Sequence, residues 1–196
     1  YVRMGGSSNF GTMLSMALAS LVIPFLPLAP VQILLNNLLY DLSELGIPFD
    51  RVDPEEVAEP HAWDMRAVLR FMLVLGPVSS IFDAATFAVL LLGFGAGVAE
   101  FRTAWFVESI ATQVLVVFLI RSQLRLWPGL PHPILAATSL GALAAALFLA
   151  LGPLGFAFGF VALPGTLLGA IAGLVVLYLA AVQVARAWLL RAKPLS

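Results

Sequence analysis

"IPFLPLAPVQILLNNLLYDLSELGIPFD", residues 23–50, decides how this chain is read. Pro24, Pro27 and Pro30 end one apolar segment and start the next, because proline breaks a helix interior but fits its first turn. Beyond them, Asn36, Asn37, Tyr40, Asp41, Ser43 and Glu44 interrupt an otherwise apolar run. In water such a segment is an ordinary amphipathic helix. In a bilayer the same polar groups are expensive and mark function. The solvent has to be settled first.

Composition settles it. Of 196 residues 61% are hydrophobic and 11% charged, with mean hydropathy +1.02, whereas soluble domains carry roughly a quarter charged residues. The net charge of −1 comes without any basic cluster, which speaks against a nucleic-acid partner and leaves membrane lipid as the surrounding medium. Cysteine is absent, so disulfides, thiolate metal sites and cysteine nucleophiles are excluded. No Gly-rich phosphate loop or Ser/His/Asp set is present, so no catalytic or cofactor-binding residue is assigned. His61 and His132 stand in Pro-flanked loops without metal-ligand spacing. The chain opens at Tyr1 inside an already helical stretch, which reads as the interior of a longer protein.

A spanning helix needs about 20 mostly apolar residues. The expected spans are 2–24, 30–46, 65–93, 103–121, 133–152 and 164–190, making residues 1–196 one all-α membrane domain of six transmembrane helices. The one long polar loop, 47–64, belongs to a stretch with seven acidic residues: Glu44, Asp50, Asp53, Glu55, Glu56, Glu59 and Asp64. It reads as solvated, with Asp64 placed to cap the third helix. Nine of the ten Lys and Arg residues fall on one side of this topology, and only Arg102 on the other. The positive-inside rule then puts both termini and the 47–64 loop in the cytoplasm. Trp105, Trp127 and Trp188 lie near span ends, where interfacial aromatics belong.

Counting ~1.5 Å per residue from the outer helix ends, Asp41, Thr12, Asp83 and Gln113 all come out roughly 15–18 Å deep. Asn9 lies about one turn beyond Thr12. The midplane of a ~30 Å core is therefore lined with polar groups from four helices, where a charge costs at least ~2.5 kcal/mol. Asn37 and Asp41, four apart, share a helix face, as do Asn9, Thr12 and Met16. Amide, hydroxyl and carboxylate oxygens are hard donors suited to Mg²⁺ or Ca²⁺. Asn9, Asn37 and Asp41 are the candidate metal ligands; Thr12, Asp83 and Gln113 are weaker ones. The tight Pro-rich hairpin is expected to bring Thr12 against Asp41. Glu108, only ~7 Å deep, suits an external vestibule or interface, and Gly76-Pro77 suits a kink in the third span.

At "SSNFG" (7–11) followed by "PVQILLNNLLYD" (30–41), the sequence resembles the C-terminal membrane part of P-type ATPases. With "RFMLVLGPVSSIFDAATF" (70–87) and "WFVES" (105–109), it is similar to the bacterial magnesium-transporting branch. The likeness is dense from Ser7 to Arg121 and rests on helix spacing afterwards. It implies helices five to ten of a ten-helix pump, the C-terminal half of its membrane domain, in the bacterial plasma (inner) membrane. It also implies a preceding N-terminal part: helices one to four and the cytoplasmic domains that use ATP and carry a phosphorylated Asp in a DKTGT motif. The fifth-helix Asn of the family's cation site falls on Asn9, and the sixth-helix Asn and Asp fall on Asn37 and Asp41. Calcium pumps carry an acid where Thr12 stands and a Thr where Tyr40 stands, so a second, calcium-type ion site is not expected. The expected function is a Mg²⁺-importing module driven by ATP hydrolysis elsewhere in the pump. The alternative is a self-contained six-helix passive cation channel or structural membrane subunit.

Overall fold

The computed structural model describes residues 2–50, 65–121 and 129–191. Among them are six α-helices and no strand: α1 (Val2–Val22), α2 (Pro30–Glu44), α3 (Met65–Ala88), α4 (Val98–Ile120), α5 (Pro133–Leu151) and α6 (Gly165–Arg191). The acidic loop beyond Asp50, with Asp64, His61 and Trp127, lies outside the described residues, as does the side chain of Trp188. Among the described residues, four stretches are long and apolar enough to cross a membrane: Gly76–Gly93, Val98–Ile120, Pro133–Leu151 and Gly165–Ala185. α1 adds the shorter apolar run Phe10–Val22. α2 has 15 residues, about 22 Å of helix, less than a ~30 Å core. The chain is an all-α, multi-pass membrane domain.

Local sequence explains the helix starts. Pro30 opens α2, and the Gln32 Oε1 accepts from the Ala29 N–H at 3.0 Å, supplying one orphan donor with a partner. α4 begins at Val98, ahead of the apolar run at 103, because its charged first turn is satisfied. Glu100 Oε2 accepts from the Gly97 N–H at 3.0 Å, and Arg102 Nε donates to the Leu26 carbonyl at 3.0 Å. That second bond ties the N-terminal end of α4 to the Pro-rich turn between α1 and α2. His132 precedes Pro133 and accepts from the Ile134 N–H through Nδ1, a capping role for α5.

α4 is the central helix, in contact with α1, α2, α3, α5 and α6. Its apolar residues run round the whole circumference, as a buried helix requires, and Phe101, Trp105, Phe106 and Ile110 are fully buried. Phe87 of α3 packs edge-on to Trp105 at 4.9 Å between ring centroids, and Phe25 packs edge-on to Phe101 at 5.3 Å. Between membrane helices such van der Waals packing, with interhelical hydrogen bonds, provides the cohesion that water would otherwise drive.

α1 docks along α3 and not along α2, which corrects the expected α1–α2 contact. Small residues are the reason. A Cβ on Gly11 would lie 3.1 Å from Ser79 Cβ, and one on Gly76 would lie 2.7 Å from the Phe10 ring. Ser80 Oγ donates to the Gly11 carbonyl at 3.2 Å across the same seam. Gly76, expected only to bend the helix with Pro77, is the seat for Phe10. With α1 drawn toward α3, a gap is left between α1 and α2.

Candidate ion site

That gap is a cavity of about 200 Å³ whose lining includes Thr12, Met16, Asn36, Asn37 and Asp41. Its polar lining comes from a division of labour on α2. Gln32, Asn36, Tyr40 and Ser43 turn inward and are buried, while Asn37 and Asp41 lie exposed on the neighbouring face. A helix advances about 100° per residue, so of the adjacent asparagines one is buried and the other exposed, and both border the cavity.

Asn36, 2% exposed, donates through Nδ2 to Gln113 Oε1 at 3.5 Å, and its Oδ1 has no described partner. Gln113 in turn donates through Nε2 to Ser109 Oγ at 2.6 Å and reaches Thr12 Oγ1 at 3.4 Å. An amide chain thus runs from α4 to both α1 and α2 behind the cavity. Gln113 is fixed firmly by its own helix and touches the cavity residues over longer distances. It is a supporting wall.

The candidate residues separate into three groups. Thr12, Asn37 and Asp41 line one cavity, with Gln113 behind them. Asn9 belongs to α1, but its side chain lies outside the described residues. Asp83 is elsewhere: it is buried between α1, α3 and α4, where Oδ2 accepts from Ser15 Oγ at 2.5 Å and Oδ1 from Trp105 Nε1 at 2.8 Å. Trp105 is therefore a buried hydrogen-bond donor and not an interfacial anchor. Glu108, expected near an outer vestibule, is 2% exposed and hydrogen-bonds the Asp83 carboxyl group. Depth along a helix had placed it; rotation about the helix axis turned it inward.

Sequence reasoning passed over Asn36, Ser15 and Ser109. The available signal for Asn36 was its spacing of four from Gln32 and from Tyr40, which marks a second polar stripe on α2. At the other end of α2, Asp50, assigned to the solvated loop, is buried. Arg121 donates to it from Nε at 2.7 Å and from Nη2 at 3.0 Å, and the His132 N–H adds a third bond at 3.0 Å.

A helical membrane domain with oxygen donors gathered at a cavity between two of its helices has the make-up of a cation-transport module. Residues 25–188 match the family described as Cation transporting ATPase, C-terminus, and the chain belongs to that family. It is 39% identical over 170 residues to the Magnesium-transporting ATPase, P-type 1 of Salmonella typhimurium strain LT2, covering 84% of this chain and 19% of that protein. It is 43% identical over 127 residues to the protein of the same name from Escherichia coli K12, covering 63% of this chain and 14% of that one. The chain thus spans less than a fifth of the length of these relatives.

Proposed function

We propose that this chain is the ion-pathway half of a Mg²⁺-importing P-type ATPase, working with helices one to four and ATP-hydrolysing cytoplasmic domains. The observation that carries the reading is the cavity between α1 and α2, where a carboxylate, an amide and a hydroxyl (Asp41, Asn37 and Thr12) converge. Hard oxygen donors with a single charge suit Mg²⁺, which dehydrates reluctantly and keeps several waters. A cavity of about 200 Å³ has room for an ion with such waters. The short α2 supports the same reading, since interrupted or shortened spans carry the sites of many transporters. Exposure of Asn37 and Asp41 beside the apolar side chains of Leu34, Leu38 and Met13 marks a face that further helices of the pump would cover. The excess of basic residues on one side supports cytoplasmic termini in a bacterial inner membrane.

The test is Mg²⁺ uptake into vesicles. The full-length pump should carry Mg²⁺ only with ATP, and residues 1–196 alone should carry none. ATP-independent flux through the six helices alone would establish the passive-channel reading in its place.

A further inference from the structure

Away from the cavity, the Asp83–Glu108 pair poses a problem of proton accounting. Both acids are buried, and their carboxyl groups hydrogen-bond each other. Two carboxylates have only acceptors, so a bond between them requires a proton on one. The donors tell which. Ser15 Oγ and Trp105 Nε1 both point at Asp83, one to each oxygen. Glu108 Oε2 is buried with no described partner. A carboxylate oxygen stranded without a donor in a bundle core is far costlier than the carbonyl oxygen of a neutral acid. Glu108 is the acid and Asp83 the carboxylate.

Ser15 gives the pair a second state. Its one hydroxyl proton has two acceptors in reach: Asp83 Oδ2 at 2.5 Å and the Gly11 carbonyl at 2.9 Å. If Asp83 gains a proton on Oδ2, it donates to Ser15 Oγ, and the hydroxyl turns to Gly11 without any shift of heavy atoms. We propose that Asp83 and Glu108 form a proton-binding site inside the bundle, with Glu108 holding one proton and Asp83 taking a second as Ser15 turns to Gly11. The pair passes from one negative charge to none, and no other bond changes.

The ligand is a proton and not a metal ion. The Trp105 N–H aimed at Asp83 would repel a cation seated there, and neither acid has a cationic described partner. Tyr178 is the titratable group that reaches the pair from α6; it is hydrogen-bonded to Ser79 and electrostatically coupled to both acids. α2 carries Asp41 and Glu44, and α4 carries Glu100 and Arg102, none of them a described partner of the pair. On α3, Thr86 stands one turn from Asp83 with a buried hydroxyl that also has no described partner. Because Ser15 rides on α1 one turn past Thr12, any displacement of α1 against α3 removes a donor from Asp83 and changes proton binding.

Infrared difference spectroscopy of the full-length protein in detergent tests this directly, and the assignment does not depend on which cation the pump carries. At neutral pH a protonated-carboxyl C=O band of the parent protein should be missing from Glu108→Gln, whose amide still donates to Asp83. On acidification the solvated carboxylates gain protons in parent and variant alike, and a further C=O band should rise that is missing from Asp83→Asn. In Ser15→Ala that band should rise at a pH about one unit higher, since a hydrogen bond to the carboxylate has been lost. A neutral-pH spectrum unchanged by Glu108→Gln overturns the proposal, and so does an acid-induced spectrum that Asp83→Asn leaves unchanged.

Discussion

Asp50 and Arg121 grip each other through two parallel bonds, at 2.7 and 3.0 Å, where the end of α2 meets the end of α4. Arg121 also donates to the Gly129 carbonyl at 2.7 Å, and Asp50 takes the His132 N–H. One ion pair therefore fastens three segments: the turn after α2, the exit of α4 and the approach to α5. Fork-shaped pairing of guanidinium and carboxylate is strong because two bonds form in one geometry.

Breaking this pair from one side should be severe. Asp50→Asn leaves a buried guanidinium without its counter-charge, and the expected loss is about 3 kcal/mol, read as a lowered thermal unfolding midpoint in detergent. The double variant Asp50→Asn with Arg121→Met should recover part of it, because no lone charge remains. Additive losses would mean that the pair is not coupled.

A second prediction concerns the same end of the bundle. A Cβ on Gly46 would lie 2.8 Å from the Leu135 backbone nitrogen and closer still to Leu135 Cα, so the backbone itself must give way. Gly46 has φ −79°, which suits any residue, so the effect of Gly46→Ala is purely steric. A loss of about 1–3 kcal/mol is expected. Gly141, in α5 with open space around it, is the control: Gly141→Ala should be neutral or stabilising.

These contacts mark the limit of what the sequence could show. Helices were legible because proline punctuation and apolar length are local signals, and the polar groups of α2 were visible as exceptions in an apolar run. Partner choice was not. Trp105 looks interfacial by position, Glu108 looks peripheral by depth and Asp50 looks solvated by neighbourhood. Each is buried because of a residue far along the chain: Asp83 for the first two, Arg121 for the third. The α1–α3 docking hid for the same reason, since "GGSSNFGT" announces a close approach without naming the helix approached.

The two faces of α2 should separate in experiment. Both asparagines border the cavity, but Asn36 is buried and bonded to Gln113, whereas Asn37 is exposed. Asn36→Ala should cost about 1 kcal/mol of stability, read as a lowered unfolding midpoint, through the loss of a modest interhelical bond and some packing. Asn37→Ala should leave the midpoint unchanged and weaken Mg²⁺ activation of the full-length pump mildly, since water can replace an amide ligand around Mg²⁺. The reverse pattern would make Asn36, which also lines the cavity, the asparagine that the ion uses.

Asp41 is the carboxylate on which the ion reading rests. It lines the cavity with Asn37 one turn before it and Thr12 across the gap. Asp41→Asn keeps size and hydrogen-bonding capacity and removes the charge that draws a divalent ion from water. Since even residues that merely support metal ligands are worth 10–100-fold, the apparent Mg²⁺ affinity of the full-length pump should fall at least about tenfold. Mg²⁺ transport and Mg²⁺-stimulated ATP hydrolysis should fall together, because both need an occupied site. Stability should be unchanged or improved, because an exposed side chain loses only its charge. Asp41→Glu, which restores the charge on a longer arm, should recover part of the affinity. If Asp41→Asn transports Mg²⁺ with unchanged affinity at equal expression, the ion does not bind in the cavity between α1 and α2.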